Sequence, residues 1–517
     1  MIHNWTPDEK FGRIKSIDYP DGRKTSHTYE KGTWDGTVFV PGDGNHERES
    51  VVHGTLDTPG GIAFKTVKEV SITDPTGNVL RNETHVYNGT GYDLIKWTQH
   101  TYDATGHLTH TQASDGTETD SIYGCCSLES KIDQTGTTTG FTYDDLKRIE
   151  TSTLEGAQAD LVSTYTYDAA GRRLTETRTG GDLSLSSATT YDTAGRMDMV
   201  TDPTGLETDY TYREGGRITE VIHPGGATEI TERYLDGRIK SITGTAVVPR
   251  HYTYGVNADG TTWTKVNTGT PTSPLWEKTT TDLMGRTVRI EKPGYTGTET
   301  TRNIYDEQGR LVQTITTGQA DTLYVYDDLG NQIRTGLDMD ASGALEENGI
   351  DRISDTQTSF VPDGADYFRE TVNRTYTKDN NETAIITGKQ RSRLTGFDPG
   401  VVSEDISMDG SGNEIVTQTV IDRATKTVTR TTRTPDATND MRQVTRNGLI
   451  HAITGKNGFD TTYGYDTLRR RTRINDPRTG TTTTHYDDKG RVESTEDSGQ
   501  RRTTFAWVQS HLGAALL

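Results

Sequence analysis

Polar and apolar positions alternate along this chain in runs too short for helices. "TETRT" at Thr175–Thr179, "LVQTITT" at Leu311–Thr317 and "TTTTHY" at Thr481–Tyr486 are rich in Thr and β-branched residues. Such runs of about five residues read as short strands with one face wet. Two turn phrases separate them. One is D-x-x-G, as in "YDAAGRR" at Tyr167–Arg173 and "YDTAGRM" at Tyr191–Met197. The other is "TDPTG" at Thr73–Gly77 and Thr201–Gly205, with "NDPRTG" at Asn475–Gly480. In D-x-x-G the Asp carboxylate accepts backbone N–H groups two residues on. Gly supplies the positive φ of a three-residue hairpin with a bulge. The pattern predicts antiparallel hairpins and almost no helix.

The phrase recurs with a period. Tyr143, Tyr167 and Tyr191 stand 24 residues apart, while Tyr305–Tyr326 and Tyr465–Tyr486 are spaced by 21. Periods of roughly 20 to 50 residues mark repeat architectures. Because every unit carries the Tyr, Asp, Gly and Arg, their expected role is structural: Tyr packs across strands, and Arg lies over a ring or bridges to an acid. Two regions break the rhythm, 24–72 and 336–460, and read as modified units or insertions.

Composition narrows the class. Only 30% of the chain is hydrophobic and mean hydropathy is −0.76, which excludes buried parallel sheets built from continuous Val/Ile/Leu runs. The 24 Tyr and 6 Trp argue against disorder. A net charge of −20 repels phosphate backbones and anionic lipid, so no nucleic-acid partner is expected. The basic run "RRRTR" at Arg469–Arg473 alternates between faces on a strand and forms no stripe. "LGAALL" at Leu512–Leu517 is far short of the roughly 20 residues of a membrane helix. The start lacks a secretory layout, and "YPDGR" at Tyr19–Arg23 already reads as a unit in progress, so the sequence is expected to begin inside a longer protein.

"YDAAGRRL", "YDTAGRM", "YDEQGRL", "YDDLGNQ" and "YDDKGRV" resemble the Y-D-x-x-G-R-L phrase of the RHS/YD-repeat family, over roughly Tyr102–Arg491. The resemblance implies an all-β fold in which repetitive antiparallel β-hairpins wind into a spiral or open β-shell. Bacterial toxin cocoons, insecticidal toxin complexes and teneurin-like adhesion proteins share it. Toxin members close with a self-cleaving aspartyl core and a variable toxin. Neither is recognisable after Arg491, so self-cleavage and toxicity carry over to no residue. The expected organisation is an irregular N-terminal β segment (1–72), a YD-repeat spiral (73–335), degenerate repeats with an acidic loop (336–460), and final repeats with an incomplete tail (461–517).

Three features are candidates for chemistry. "DMDASGALEENGID", Asp338–Asp351, places oxygen ligands at alternate positions around a Gly, as a calcium loop does. Asp338, Asp340 and Ser342 would ligate through side chains, Ala344 through its carbonyl, Glu346 directly or through water, and Asp351 would close the site. The twelfth position is Gly349, where a bidentate Glu is expected, so an ordinary acidic turn is the rival reading. Cys125 and Cys126 are the only cysteines. Two small residues in a turn is the plainer reading, and a vicinal disulfide forming a flat step for a sugar is the alternative. No second Cys pair supports zinc. His100, His107 and His110 fall on one hairpin, which invites a polysaccharide lyase with Tyr102 as a further base and Arg148 to neutralise an acidic sugar. Cross-strand packing is the plainer reading.

The expectation is therefore a non-catalytic scaffold of a bacterial secreted or cell-surface shell. Its partners would be the rest of a larger RHS shell or an encapsulated polypeptide. The alternative is a lyase or glycan binder that holds polysaccharide in the groove.

Overall fold

The computed structural model describes residues 4–7, 12–19, 23–56, 63–64, 67–376, 379, 383–435, 438–510 and 513–516. Residues 20–22 of the early turn at Tyr19–Arg23 lie outside them, as do 512 and 517 of the apolar C-terminal run. Among the described residues, 43 strands join one antiparallel sheet, and Trp507–Ser510 pairs separately with Gly513–Leu516. The sole helical element among them is the 3-10 turn Glu214–Gly216. No helix among the described residues is long and apolar enough to cross a membrane. The all-β hairpin expectation holds.

One hairpin shows how the phrase folds. Strand Leu161–Tyr167 pairs with Arg173–Gly180, Thr164 opposite Thr177 and Thr166 opposite Thr175, and the register slips between Thr166 and Tyr167. The Asp168 N–H donates to the Arg172 carbonyl at 2.9 Å, and the Gly171 N–H to the Asp168 carbonyl at 3.0 Å. Asp168 Oδ1 accepts the N–H groups of Ala170 and Arg172, each at 2.9 Å. Gly171 sits at φ 84°, the left-handed residue that a bulged hairpin needs. In "YDDLKR" the same place is held by Lys147 at φ 63°. The turn therefore persists without Gly, against a cost of about 1–2 kcal/mol for a left-handed L-residue.

The chain divides into two compact units interleaved in sequence. The first comprises Met1–Thr139, Tyr305–Val312 and Thr322–Phe459; the second comprises Gly140–Ile304, Gln313–Asp321 and Asp460–Leu517. Within each unit the sheet comes back on itself. In the first, Arg423 bonds Glu118 and Asp120 at separations of 305 and 303 residues, Arg23 reaches the Leu329 carbonyl 306 residues on, and the Tyr367 hydroxyl meets Asp93 across 274. In the second, the Thr467 hydroxyl donates to the Gly180 carbonyl across 287 residues. Gly180 is required there, because a Cβ would collide with the Thr467 carbonyl oxygen.

Little apolar surface is fully enclosed. Phe39, Val70 and Ile72 form one cluster with Trp34 packed on it, and Ile353, Phe368 and Val372 are buried further along the first unit. Much of the wet face is instead paired by hydroxyls, as Thr142 with Thr151 at 2.7 Å, Thr166 with Thr175 at 2.6 Å, and Thr262 with Thr281 at 2.8 Å. Cross-strand pairs of this kind contribute roughly 0.2–1 kcal/mol each.

Gly171→Ala and Gly195→Ala are expected to destabilise their hairpins by about 1–2 kcal/mol, read as faster amide exchange in residues 161–201. The second should cost more, since φ is 83° and the new Cβ would also meet Arg172 Nη1 at 2.8 Å. Unchanged exchange in both would contradict the bulged-turn assignment.

Candidate functional site

The polar residues of each repeat engage one another in a fixed order. Arg172 Nε donates to Asp168 Oδ2 at 2.7 Å, the guanidinium lies 4.5 Å from the centre of the Tyr191 ring in the next repeat, and the Tyr191 hydroxyl donates back to the Arg173 carbonyl at 3.0 Å. The order recurs at Asp306, Arg310 and Tyr326, with a 2.7 Å bond, a 4.9 Å ring contact and a 2.8 Å hydroxyl bond to the Leu311 carbonyl. At Asp466, Arg470 and Tyr486 the values are 2.7, 4.3 and 2.9 Å. Arg148, considered as a lyase cation, is a member of this series: it bonds Asp144 at 2.7 Å and lies 4.7 Å over Tyr167. The backbone amide of Arg172 holds the Asp168 carboxyl below its ordinary value, and the Arg148 side chain does the same for Asp144.

The histidines are distributed by strand alternation. His100 lies opposite Thr111 and His110 opposite Thr101, so His100 and His110 face opposite sides of the sheet. The hairpin does not bring them to one face, because their strand positions have opposite parity. His100 Nδ1 is 3.0 Å from the Thr111 hydroxyl, and burial lowers its pKa. His110 Nδ1 is 2.7 Å from Asp120 Oδ1, the carboxylate that also holds Arg423. Tyr102 donates to the Val79 carbonyl at 2.9 Å, and burial raises its pKa. His100 and Tyr102, two positions apart on one face, do line an open cleft of about 690 Å³ with Trp34, Asn78 and Gln99.

His107 stands where other repeats carry Arg. Its Nδ1 is 3.0 Å from Asp103 Oδ2, and its ring stacks on Tyr123 of the next unit at 4.5 Å. The imidazole thus makes both of the contacts that a guanidinium makes elsewhere.

In the acidic loop Asp338, Asp340 and Asp351 each present a carboxylate oxygen within 4.8 Å of the others, the first and last being buried. Asp338 accepts the N–H groups of Ser342 at 3.1 Å and Gly343 at 2.8 Å. Asp351 accepts those of Met339 at 2.8 Å and Glu346 at 2.9 Å. The Ser342 hydroxyl turns to the Glu346 carboxylate at 2.9 Å and to the Ala344 carbonyl at 3.3 Å. The Ser342 amide draws the Asp340 pKa down. Of the six expected ligands, three aspartates converge, while Ser342 and Glu346 bond each other. Arg334 clamps the loop through Glu347 and Asp355.

Residues 129–347 match the family model described as Teneurin YD-shell. The chain carries RHS/YD repeats. No curated protein matches it in sequence. Among solved structures, the crystal structure of TcdB2-TccC3 is 12% identical, with 99% of this chain and 31% of that chain covered at a TM-score of 0.32. The Photorhabdus luminescens Tc holotoxin pore is likewise 12% identical, with 98% and 30% covered and a TM-score of 0.35. This chain spans under a third of the length of those chains.

Turns of both phrases that lack the Arg keep the same bond with other side chains. Asn78 and Asn331 donate to Asp74 and Asp327 at 2.9 and 3.0 Å, where Arg would. The return contacts of Arg423 and Thr467 are functional to the fold and carry no local sequence signal.

A double-mutant cycle on Arg172→Ala and Tyr191→Leu should show a coupling of about 0.5–1 kcal/mol in denaturant unfolding. Arg172→Ala with Tyr212→Leu, which pairs with Arg196 instead, should be additive. The second turn phrase also sets a pH dependence. Burial pushes Asp74 up, but hydrogen bonds from Thr76 and Asn78 outweigh it and bring the pKa from 3.8 to about 2; Arg478 brings Asp476 to about 2. Folded values below unfolded ones give stability that is complete above 3.8 and lost as pH falls toward 2. The denaturation midpoint should fall across that window, and a flat profile would contradict the turn-capping role.

Proposed function

We propose that this protein is a non-catalytic YD-repeat scaffold, a part of a secreted or cell-surface shell that encloses or presents a polypeptide. The reading rests on the commitment of the repeat's ionisable groups to one another: Asp to Arg or His, Arg to the next Tyr, Tyr to a backbone carbonyl. Groups so engaged hold a sheet together and are not poised to exchange protons with a substrate. Uronic-acid polysaccharides mixed with the protein should yield no ultraviolet-absorbing unsaturated product. Such a product, lost in His100→Ala with folding unchanged, would overturn the scaffold reading.

The cleft beside His100 and Tyr102 favours a second reading, glycan binding, because Trp34 offers an apolar ring among the amides of Asn78 and Gln99.

Calcium belongs to the scaffold reading as a structural ion. The donors at Asp338, Asp340 and Asp351 are all hard oxygens, and a carboxylate oxygen that accepts one N–H keeps a second lone pair for a cation. Calcium would offset two of three converging negative charges and tie the loop to the two strands it joins. Ion binding to the folded form alone stabilises it by about 2.7 kcal/mol at a hundredfold excess over the dissociation constant. Chelation should lower the melting temperature, and Asp340→Ala should abolish that difference while leaving the β spectrum intact. Identical melting with calcium and with chelator would reduce the segment to an acidic turn.

A further inference from the structure

One hairpin departs from the turn code and places two thiols at its tip. Cys125 and Cys126 lie between strands Glu118–Tyr123 and Leu128–Ile132, in a turn closed by the Gly124 N–H on the Ser127 carbonyl at 2.9 Å. No residue from 123 to 128 has a positive φ, in contrast to the turns before and after it, which place Gly116 and Gly136 at φ 83°. The two Sγ atoms are 2.9 Å apart, and both residues are exposed.

We infer that Cys125 and Cys126 form a reversible two-electron redox site that a small-molecule disulfide closes to a vicinal disulfide. Contact between the sulfurs means that closure needs only a local turn adjustment. Their Cα atoms are adjacent, about 3.8 Å apart, below the roughly 4.4–6.8 Å of ordinary disulfides, so the closed form is strained and easily reduced. Exposed, strained disulfides are the labile ones, whereas structural ones resist the thiol pool. A structural role has little to work with here, because bridging neighbours closes no loop and removes almost no chain entropy from the unfolded state. The turn is also connected to its surroundings: Tyr123, two residues before Cys125, carries the stack with His107.

The chemistry balances with an oxidant of the glutathione disulfide class. One thiolate attacks a sulfur of the oxidant, forming a mixed disulfide and expelling one small thiolate. The neighbouring thiolate then attacks the protein sulfur of that mixed disulfide, forming the Cys125–Cys126 bond and expelling the second. Two electrons pass to the oxidant, and the two thiol protons end on the two small thiols released.

The test treats the full chain with glutathione disulfide, quenches with an alkylating agent and weighs the intact protein and its peptides. The expected product lacks two hydrogens, takes no alkyl group at Cys125 or Cys126, and reverts fully in excess reduced glutathione. Cys126→Ser should stop at one glutathione adduct per chain with its β spectrum unchanged. Adducts that accumulate on the unmodified protein without closing, oxidation only to linked pairs of chains, or a closed form that resists reduced glutathione would each overturn the inference.

Discussion

A carboxylate, a guanidinium and a phenol ring, engaged in that order across two turns, join neighbouring repeats wherever the turn carries Arg. An exposed ion pair alone is worth between nothing and about 1 kcal/mol, because two long side chains must be ordered to form it. Here the turn does the ordering. The Asp carboxylate is already fixed by two backbone N–H groups, so it presents its second oxygen to Arg without further loss of freedom. The guanidinium, held flat, then covers the next ring, and the ring's hydroxyl returns to the backbone beside the same Arg. In a sheet with few fully buried apolar residues, stability comes from many such modest links between neighbours, as expected of repeat proteins.

The links vary in chemistry more than in geometry. Arg, Asn and His all occupy the fifth position of the turn and all bond the same carboxylate oxygen. Arg and His also stack on the following Tyr, whereas Asn is too short to do so, and there the Tyr102 hydroxyl still reaches the Val79 carbonyl. His107 is therefore best understood through its position in the repeat, not through its nearness to two other histidines.

Local features of the fold were legible in the sequence because their causes are local. The Asp168 to Gly171 turn follows from four residues, and the strand class from Thr-rich alternation beside it. The acidic loop was legible for the same reason: Asp338, Asp340 and Asp351 converge within one short segment. The pairing of Ser342 with Glu346 was not, since it depends on how the loop closes. The histidine hairpin was half legible. Its strands were visible, but the side each imidazole faces depends on the slip in register between Leu108 and His110, which no spacing rule supplies. The contacts of Arg423 with Glu118 and of Thr467 with Gly180 join positions 305 and 287 residues apart, and nothing near either partner announces the other.

Those distant contacts bear on how such a chain can evolve. Tandem repeats gain and lose whole units by recombination, and in most solenoids a unit can go without disturbing any but its neighbours. In each unit of this protein the sheet meets itself again after 274 to 306 residues. Deleting a single repeat of 21 or 24 residues between the partners would leave the remaining hairpin chemistry intact, yet would bring the wrong partner opposite Arg423. Repeat number is thus under selection through geometry far from the site of the change, and lineages of this chain should accept substitutions within repeats more readily than changes in their count.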